Sequence, residues 1–218
     1  MTTFTPTVCD ISHYEVVEDD GFQKAKAAGL LGIISKCTQG THYLDPQYAD
    51  YIEMAQDAGL KVGGYHFNTG EDPEAQAEYF YKNANPRNYP NFLYALDFEA
   101  NSKSDMTIQQ AVTFLRKMEE LVGHKIVIYS GNKLKEQIDK LSDDDQTYVQ
   151  AHKLWLAQYS NHATLPDGFD SYYLWQYTGD GMGNGPHWID GITCPGNKGL
   201  DLNIYNGTNE ELLASWGN

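Results

Sequence analysis

Cysteine is scarce in this chain, with three among 218 residues, an odd number that cannot close a disulfide framework. Cys9 and Cys37 each fall in a short apolar run and are expected to be buried thiols. Basic residues are also few: 15 Lys and Arg stand against 30 Asp and Glu, for a formal net charge of −15. A surface that negative repels phosphate backbones and anionic lipid, which argues against nucleic acid or a membrane as primary partner. No apolar run approaches the roughly 18 residues of a membrane span. The opening residues 1–6 carry neither the basic nor the apolar region of a signal peptide, so synthesis in a reducing cytoplasm is expected. Zinc spacings such as HExxH or CxxC are missing, and the seven His are scattered. No metal and no cofactor is expected. A Gly-x-Ser-x-Gly elbow is absent too, which leaves a serine-nucleophile reading weak.

What is present is an ordinary share of apolar residues, 41%, with a surplus of 16 Tyr. Eight short strand-like runs stand out, at 7–11, 31–36, 61–67, 92–98, 125–129, 153–158, 172–177 and 200–205. Between the early ones lie helical patterns. Asp45-Pro46 and Asp72-Pro73 each place an N-cap acid before a proline. Tyr48, Tyr51, Ile52, Ala55 and Ala58 follow the 3.6 period and Gly59 ends that helix. Thr107 and Gln110 have capping-box spacing ahead of the apolar stripe Ile108, Ala111, Val112, Leu115, Met118 and Val122, which Gly123 closes. Residues 19–28 and 132–141 supply two more helices. The segments 158–172 and 177–200 read as loops, as does the acidic run 143–145. Asn206-Gly-Thr208 matches a glycosylation sequon and is given no weight.

Five strands each followed by a helix, then three without, predict an α/β fold: a single-domain, TIM-like barrel with a parallel sheet. An open doubly wound sheet is the alternative, but Asp10-Ile-Ser-His-Tyr14 is no glycine-rich phosphate turn. In a parallel barrel the strand carboxyl ends carry the chemistry. Here they hold Asp10, Lys36, His66, Asp97 with Glu99, Tyr129, Gln158 and Gln176. Asp97 and Glu99, two apart, project to one side. Two like charges there cost several kcal/mol unless paired, protonated or used. Their repulsion raises one pKa and leaves a proton donor beside an ionised partner, the pairing that acid catalysis at a glycosidic bond requires. The plainer reading is a structural ion-pair network, with Lys36 as partner. Asp10 ends the first strand and Asp201 begins the last, so barrel closure brings them to one rim. His66 reads as a substrate-contacting or supporting residue rather than a metal ligand. Tyr65, Tyr129, Trp155 and Trp175 belong either to the core or to a cleft.

These pieces, in order, resemble family 25 glycoside hydrolases, the Chalaropsis-type lysozymes. The matching segments are Val8-Cys-Asp10-Ile-Ser12, Gly32-Ile-Ile-Ser-Lys36, Gly63-Gly-Tyr-His-Phe67, Leu96-Asp97-Phe-Glu99, Ile128-Tyr-Ser-Gly131, Leu154-Trp-Leu-Ala-Gln158, Leu174-Trp-Gln-Tyr177 and Leu200-Asp-Leu-Asn203. The resemblance runs over about residues 7–207 and implies a (β/α)5(β)3 barrel. It implies Glu99 as general acid, Asp97 as stabiliser of developing charge or guide of the 2-acetamido group, and Asp10 and Asp201 as completing the acidic set. Tyr65, Tyr129, Trp155, Gln158 and Gln176 would line sugar sites, with His66 and Lys36 as further substrate contacts. The implied reaction is hydrolysis of the β-1,4 bond between N-acetylmuramic acid and N-acetylglucosamine in peptidoglycan. The chain departs from the family's usual pattern at Glu15-Val16 (Gln-Gly), at Gln39 (Glu) and at Asn68-Thr-Gly70 (an Ala-Arg-Pro type of ending). A single catalytic domain over 1–218, monomeric and without a wall-binding module, is expected. It would reach the wall through a holin-type pore, a secretion machine or lysis, as a phage endolysin, effector or autolysin. A chitin-type hydrolase and a non-catalytic glycan-binding barrel are the competing readings.

Overall fold

The computed structural model describes residues 4–85, 87–196 and 198–218; residues 1–3 of the opening segment read above lie outside them. Eight strands form the barrel: β1 Val8–Ile11, β2 Gly32–Gln39, β3 Lys61–Phe67, β4 Leu93–Asp97, β5 Val127–Ser130, β6 Lys153–Ala157, β7 Leu174–Gly179 and β8 Asp201–Tyr205. Strands β1 to β7 pair in parallel, each with the next. The eighth runs antiparallel to both β7 and β1 and closes the ring. The sheet is therefore mixed, not wholly parallel. Among the described residues no helix intervenes between β7 and β8, and antiparallel neighbours need no helical crossover.

Among the described residues seven α-helices accompany the strands: α1 Gly21–Ala27, α2 Tyr48–Asp57, α3 Pro73–Ala84, α4 Ile108–Val122, α5 Asn132–Gln137, α6 Asp143–Gln150 and α7 Asn209–Ser215. Asp72 caps α3 through the Ala75 amide at 2.9 Å, with Pro73 in the first turn. Thr107 and Gln110 form the expected capping box of α4, and Gly123 ends that helix at φ +83°. Asp45 does not cap α2. Its carboxylate turns to the His13 ring at 2.6 Å, and the helix starts two residues after Pro46, at Tyr48. The run 143–145 is no loop: Ser142 caps it, and three acids occupy the first turn of α6, where the helix dipole favours them.

Short strands missed by periodicity surround the mouth of the barrel. Val16–Val17 pairs with Ile192–Thr193, Tyr43–Leu44 with the end of β2, and Met182–Gly183 with β7. Two residues are too few to show alternation.

Alternation along each strand divides the core in two. Cys9, Ile33, Cys37, Leu96 and Ile128 face outward against the helices, where Phe80 and Phe114 pack. Val8, Ile34, Leu93, Ala95, Val127 and Trp155 face inward. Both Cys9 and Cys37 are buried, as expected. The interior also takes Leu212 of α7 and the fully buried Trp216 just beyond it. The Trp216 indole N–H donates to the Val62 carbonyl at 2.9 Å, and a Cβ at position 32 would lie 2.5 Å from its ring. Glycine at 32 leaves room for that plug.

Candidate active site

The same alternation that buries Val8 inside the barrel puts Asp10 on the inner face at the carboxyl end of β1. There the interior opens into a cavity of about 650 Å³. Its lining includes Asp10, Lys36, Tyr65, Asp97, Glu99, Tyr129, Trp155, Gln176 and Asp201. A second hollow, of about 540 Å³, adjoins it through His13, Tyr14 and Lys36 and extends the opening towards His42 and Glu71. The four acids singled out by position thus converge on one cavity from β1, β4 and β8.

Asp10 and Asp201 are direct partners in the β1–β8 ladder. Gln176 Nε2 donates to both Asp10 oxygens, at 3.1 and 3.0 Å, and Asn203 Nδ2 donates to Oδ1 at 2.8 Å. Gln176 Oε1 accepts from the Tyr129 and Tyr159 hydroxyls at 2.8 and 2.9 Å, while Asn203 Oδ1 accepts from the Trp155 indole at 2.5 Å. Every arm of this network ends on Asp10. Burial pushes the Asp10 carboxyl up to about 7 despite the Asn203 and Gln176 donors, with the Glu15 charge adding to the rise. Burial, then the Asp10 and Glu15 charges, push Asp201 up to about 9.

Asp97 and Glu99 sit at the end of β4. Burial and then the Glu99 charge drive Asp97 well above the usual carboxylate range, opposed by Lys36. Burial raises Glu99 too, while Lys36 and Lys133 pull it down. Asp97 is only 6% exposed, and its Oδ1 has no hydrogen-bond partner among the described residues. Glu99, half-buried, is the more accessible of the two. Two carboxyl groups in one cavity, each raised above the ordinary carboxylate range, favour a proton donor beside an anion.

Lys36 lines the cavity but makes no ion pair with either acid. Its ammonium donates to Gln39 Oε1 at 2.9 Å and lies 4.7 Å from the Phe67 ring centre. The ion-pair network of the plainer reading is therefore not formed. Tyr65 and Tyr129 meet Trp155 edge to face, at 6.5 and 4.7 Å between ring centres. Trp155, 1% exposed, is the floor of the cavity rather than an open stacking face.

Two expectations are corrected by geometry. His66 is fully buried and faces the helices: Nε2 meets Gln76 Oε1 at 3.1 Å, Nδ1 meets the Thr38 hydroxyl at 2.8 Å, and the ring stacks on Phe114. Burial lowers its pKa to about 4, so it is a neutral core residue. Its neighbour Tyr65 takes the inner face, and adjacent strand residues cannot both do so. Gln158 is spent on its own loop. It accepts from Lys135 at 2.8 Å and from the Thr164 amide at 3.1 Å, and donates to Ser160 at 3.0 Å. It borders a side hollow with Glu99 and Tyr129 instead of the main cavity.

Sequence reasoning passed over Asn203, Tyr159 and Glu15. Asn203 lies two residues beyond Asp201 on one strand, so alternation could have found it. Tyr159 and Glu15 lie in loops, where no periodicity says which way a side chain points. Among the described residues, no cluster of three or more His, Cys, Asp or Glu has the geometry to hold a metal ion, and no helix is long and apolar enough to cross a membrane.

An eight-stranded barrel with helices outside and carboxyl groups gathered at its strand carboxyl ends has the architecture of a barrel glycosidase. The sequence profile of glycosyl hydrolases family 25 matches residues 9–186, and the chain belongs to that family. It is similar to the autolytic lysozyme of Clostridium acetobutylicum, 28% identical over 75% of this chain and 48% of that protein. It is also similar to lysozyme M1 of Streptomyces globisporus, 26% identical over 94% of this chain and 69% of that protein. The chain thus spans about half the length of the clostridial relative. Among solved structures, a muramidase from Trichobolus zukalii superposes with a TM-score of 0.76 at 27% identity, covering 96% of this chain and 97% of that one. The bacterial lysozyme from Streptomyces coelicolor shares the fold, with a TM-score of 0.82 at 24% identity and 99% of both chains covered.

Proposed function

We propose that the chain is a lysozyme that hydrolyses the β-1,4 bond between N-acetylmuramic acid and N-acetylglucosamine in peptidoglycan, with Glu99 as general acid. One observation carries this reading: Asp97 and Glu99 share one cavity, both raised above the normal carboxylate range. Membership of the family and the names of its relatives support the substrate class. Glu99 gives its proton to the glycosidic oxygen as the bond to the anomeric carbon breaks. Asp97 faces the positive charge left on the sugar, or holds the acetamido oxygen against it. Water then adds to the anomeric carbon and returns its proton to Glu99. Asp10, held by Gln176 and Asn203, and Asp201, its partner in the ladder, keep the floor of the site rigid and acidic. Tyr65, Tyr129 and Lys36 contact the sugars. The barrel acts as one monomeric catalytic unit without a cofactor, reaching the wall by holin-type release, an export machine or lysis.

The test is solubilisation of purified peptidoglycan by the wild type and by Glu99→Gln, with mass spectrometry of the released ends. Reducing N-acetylmuramic acid ends, and a loss in the mutant of more than about a hundredfold, are expected. Reducing N-acetylglucosamine ends would move the cut to the other bond. Sacculi bound without release would make the barrel a glycan-binding module, and turnover of chitin oligomers alone would change the polymer.

A further inference from the structure

The strand that presents Glu99 stops short of it. Strand β4 ends at Asp97, and the last sheet-type bond runs from the Phe98 amide to the Tyr129 carbonyl at 2.9 Å. Beyond that point the chain is held by side chains from elsewhere. Asn68, fully buried just after β3, donates through Nδ2 to the Asp97 and Glu99 carbonyls, at 2.9 and 2.8 Å. Lys133, in the first turn of α5 and 7% exposed, donates to the Glu99 carbonyl at 3.0 Å. Its ammonium also lies 4.2 Å from the Phe98 ring centre and pairs with Asp105. The Asn68 side-chain oxygen accepts from the Met106 amide at 3.2 Å and from Lys133 at 3.4 Å, which ties the two grips together.

A lysine buried this deeply is costly unless its donors are used. Here one goes to the carbonyl of the residue read as the acid, and the others go to the Asn68 side-chain oxygen and the Asp105 carboxylate. We propose that Asn68 and Lys133 are positioning residues for Glu99, a two-point clamp on its carbonyl that aims the side chain into the cavity. The inference rests on the reading of Glu99 as general acid. Fixing the carbonyl fixes the backbone angles at Glu99, and a carboxyl three bonds beyond Cα swings with them. Misplacement by about 1 Å costs roughly a hundredfold in rate.

The clamp also carries charge. Glu99 is faced by Lys133 from α5, Lys36 from β2, Asp180 from the loop after β7 and Asp97 from its own strand. Asp10 in turn faces Asp97 from β1. Removing the Lys133 cation raises the pH at which Glu99 loses its proton. Removing the Asp105 anion, exposed at the surface, leaves that cation unopposed and lowers it.

Four variants test this: Asn68→Ala, Lys133→Met, Lys133→Arg and Asp105→Asn, each assayed below its own melting transition. Asn68→Ala is expected to lower kcat by about tenfold or more with KM nearly unchanged. The alkaline limb of the kcat profile is expected to move up in pH for Lys133→Met and down for Asp105→Asn, and to return to the wild-type position for Lys133→Arg. A purely structural role would not move the limb in opposite directions. The Glu99 carboxyl is also titrated by carbon NMR, a readout independent of turnover. Unchanged titration in Lys133→Met and Asp105→Asn, with kcat unchanged, overturns the clamp. Should the wild type release nothing from peptidoglycan, the reading of Glu99 as the acid falls, while opposite NMR shifts in the two charge variants still establish the coupling between clamp and carboxyl.

Discussion

Asp10 and Asp201 stand opposite one another in the antiparallel ladder between β1 and β8, two carboxyl groups brought from opposite ends of the chain onto one face. Burial raises both, Asp10 to about 7 with the Glu15 charge adding to the rise, and Asp201 to about 9 with the Asp10 and Glu15 charges adding.

This pair makes stability fall as pH rises. In the unfolded chain both groups titrate near 4, so between about pH 4 and 9 the folded state binds more protons. Their favourable contribution is complete below about pH 4 and is lost through 7 and then 9. Asp201→Asn removes the group raised further of the two. Melting temperature plotted from pH 4 to 9 should slope less steeply in the variant, and parallel curves would refute the assignment.

Gln176 holds the network together by donating to Asp10 and accepting from two tyrosines. Gln176→Leu leaves Asp10 with the Asn203 donor alone and takes the acceptor from the Tyr129 and Tyr159 hydroxyls. The expected cost is at least about 2 kcal/mol in urea unfolding, from buried groups left without partners. A loss near zero would mean that water takes the place of the amide.

The burial of Asp97 carries a cost in stability. It is buried beside another carboxyl, and one of its oxygens has no partner among the described residues. Asp97→Asn removes a carboxyl whose ionised form burial disfavours, and is expected to raise the melting temperature while lowering peptidoglycan release by about tenfold or more. Lower stability together with full activity would contradict both halves.

Trp216 plugs the barrel at the end away from the acids. Trp216→Ala should cost about 3–5 kcal/mol, the range for a large aromatic removed from a core. Thermal and urea unfolding read this directly, and an unchanged midpoint would show that the plug is dispensable.

Much of this protein is legible in local pattern. The run at 61–67 coincides with β3, and the others lie within a few residues of their strands because a strand buried on both faces shows as a short apolar run rich in β-branched and aromatic residues. The Thr107–Gln110 box is correct because capping depends on neighbours three residues apart. Asp45 has the same local signature and one of its oxygens does accept from the Gln47 amide at 3.0 Å, but the helix proper starts only at Tyr48 and the other oxygen goes to His13, 32 residues away. Helix α7 carries an equal signal in Thr208 and Glu211, which form a capping box inside the segment considered only as a sequon. Among the site residues, Tyr65 and His66 could not both face the cavity, a conclusion available from alternation alone.

What the linear order determined is the set of strands, the face each residue takes along them and the acids that end them, since these follow from periodicity and nearest neighbours. Closure of the barrel decided the rest. It set Asp201 against Asp10, brought Asn203 and Gln176 onto the same carboxylate, and folded loops from three places under Glu99. Such meetings join residues up to nearly two hundred positions apart, and loop side chains have no period to say where they point. Only the path of the whole chain determines them.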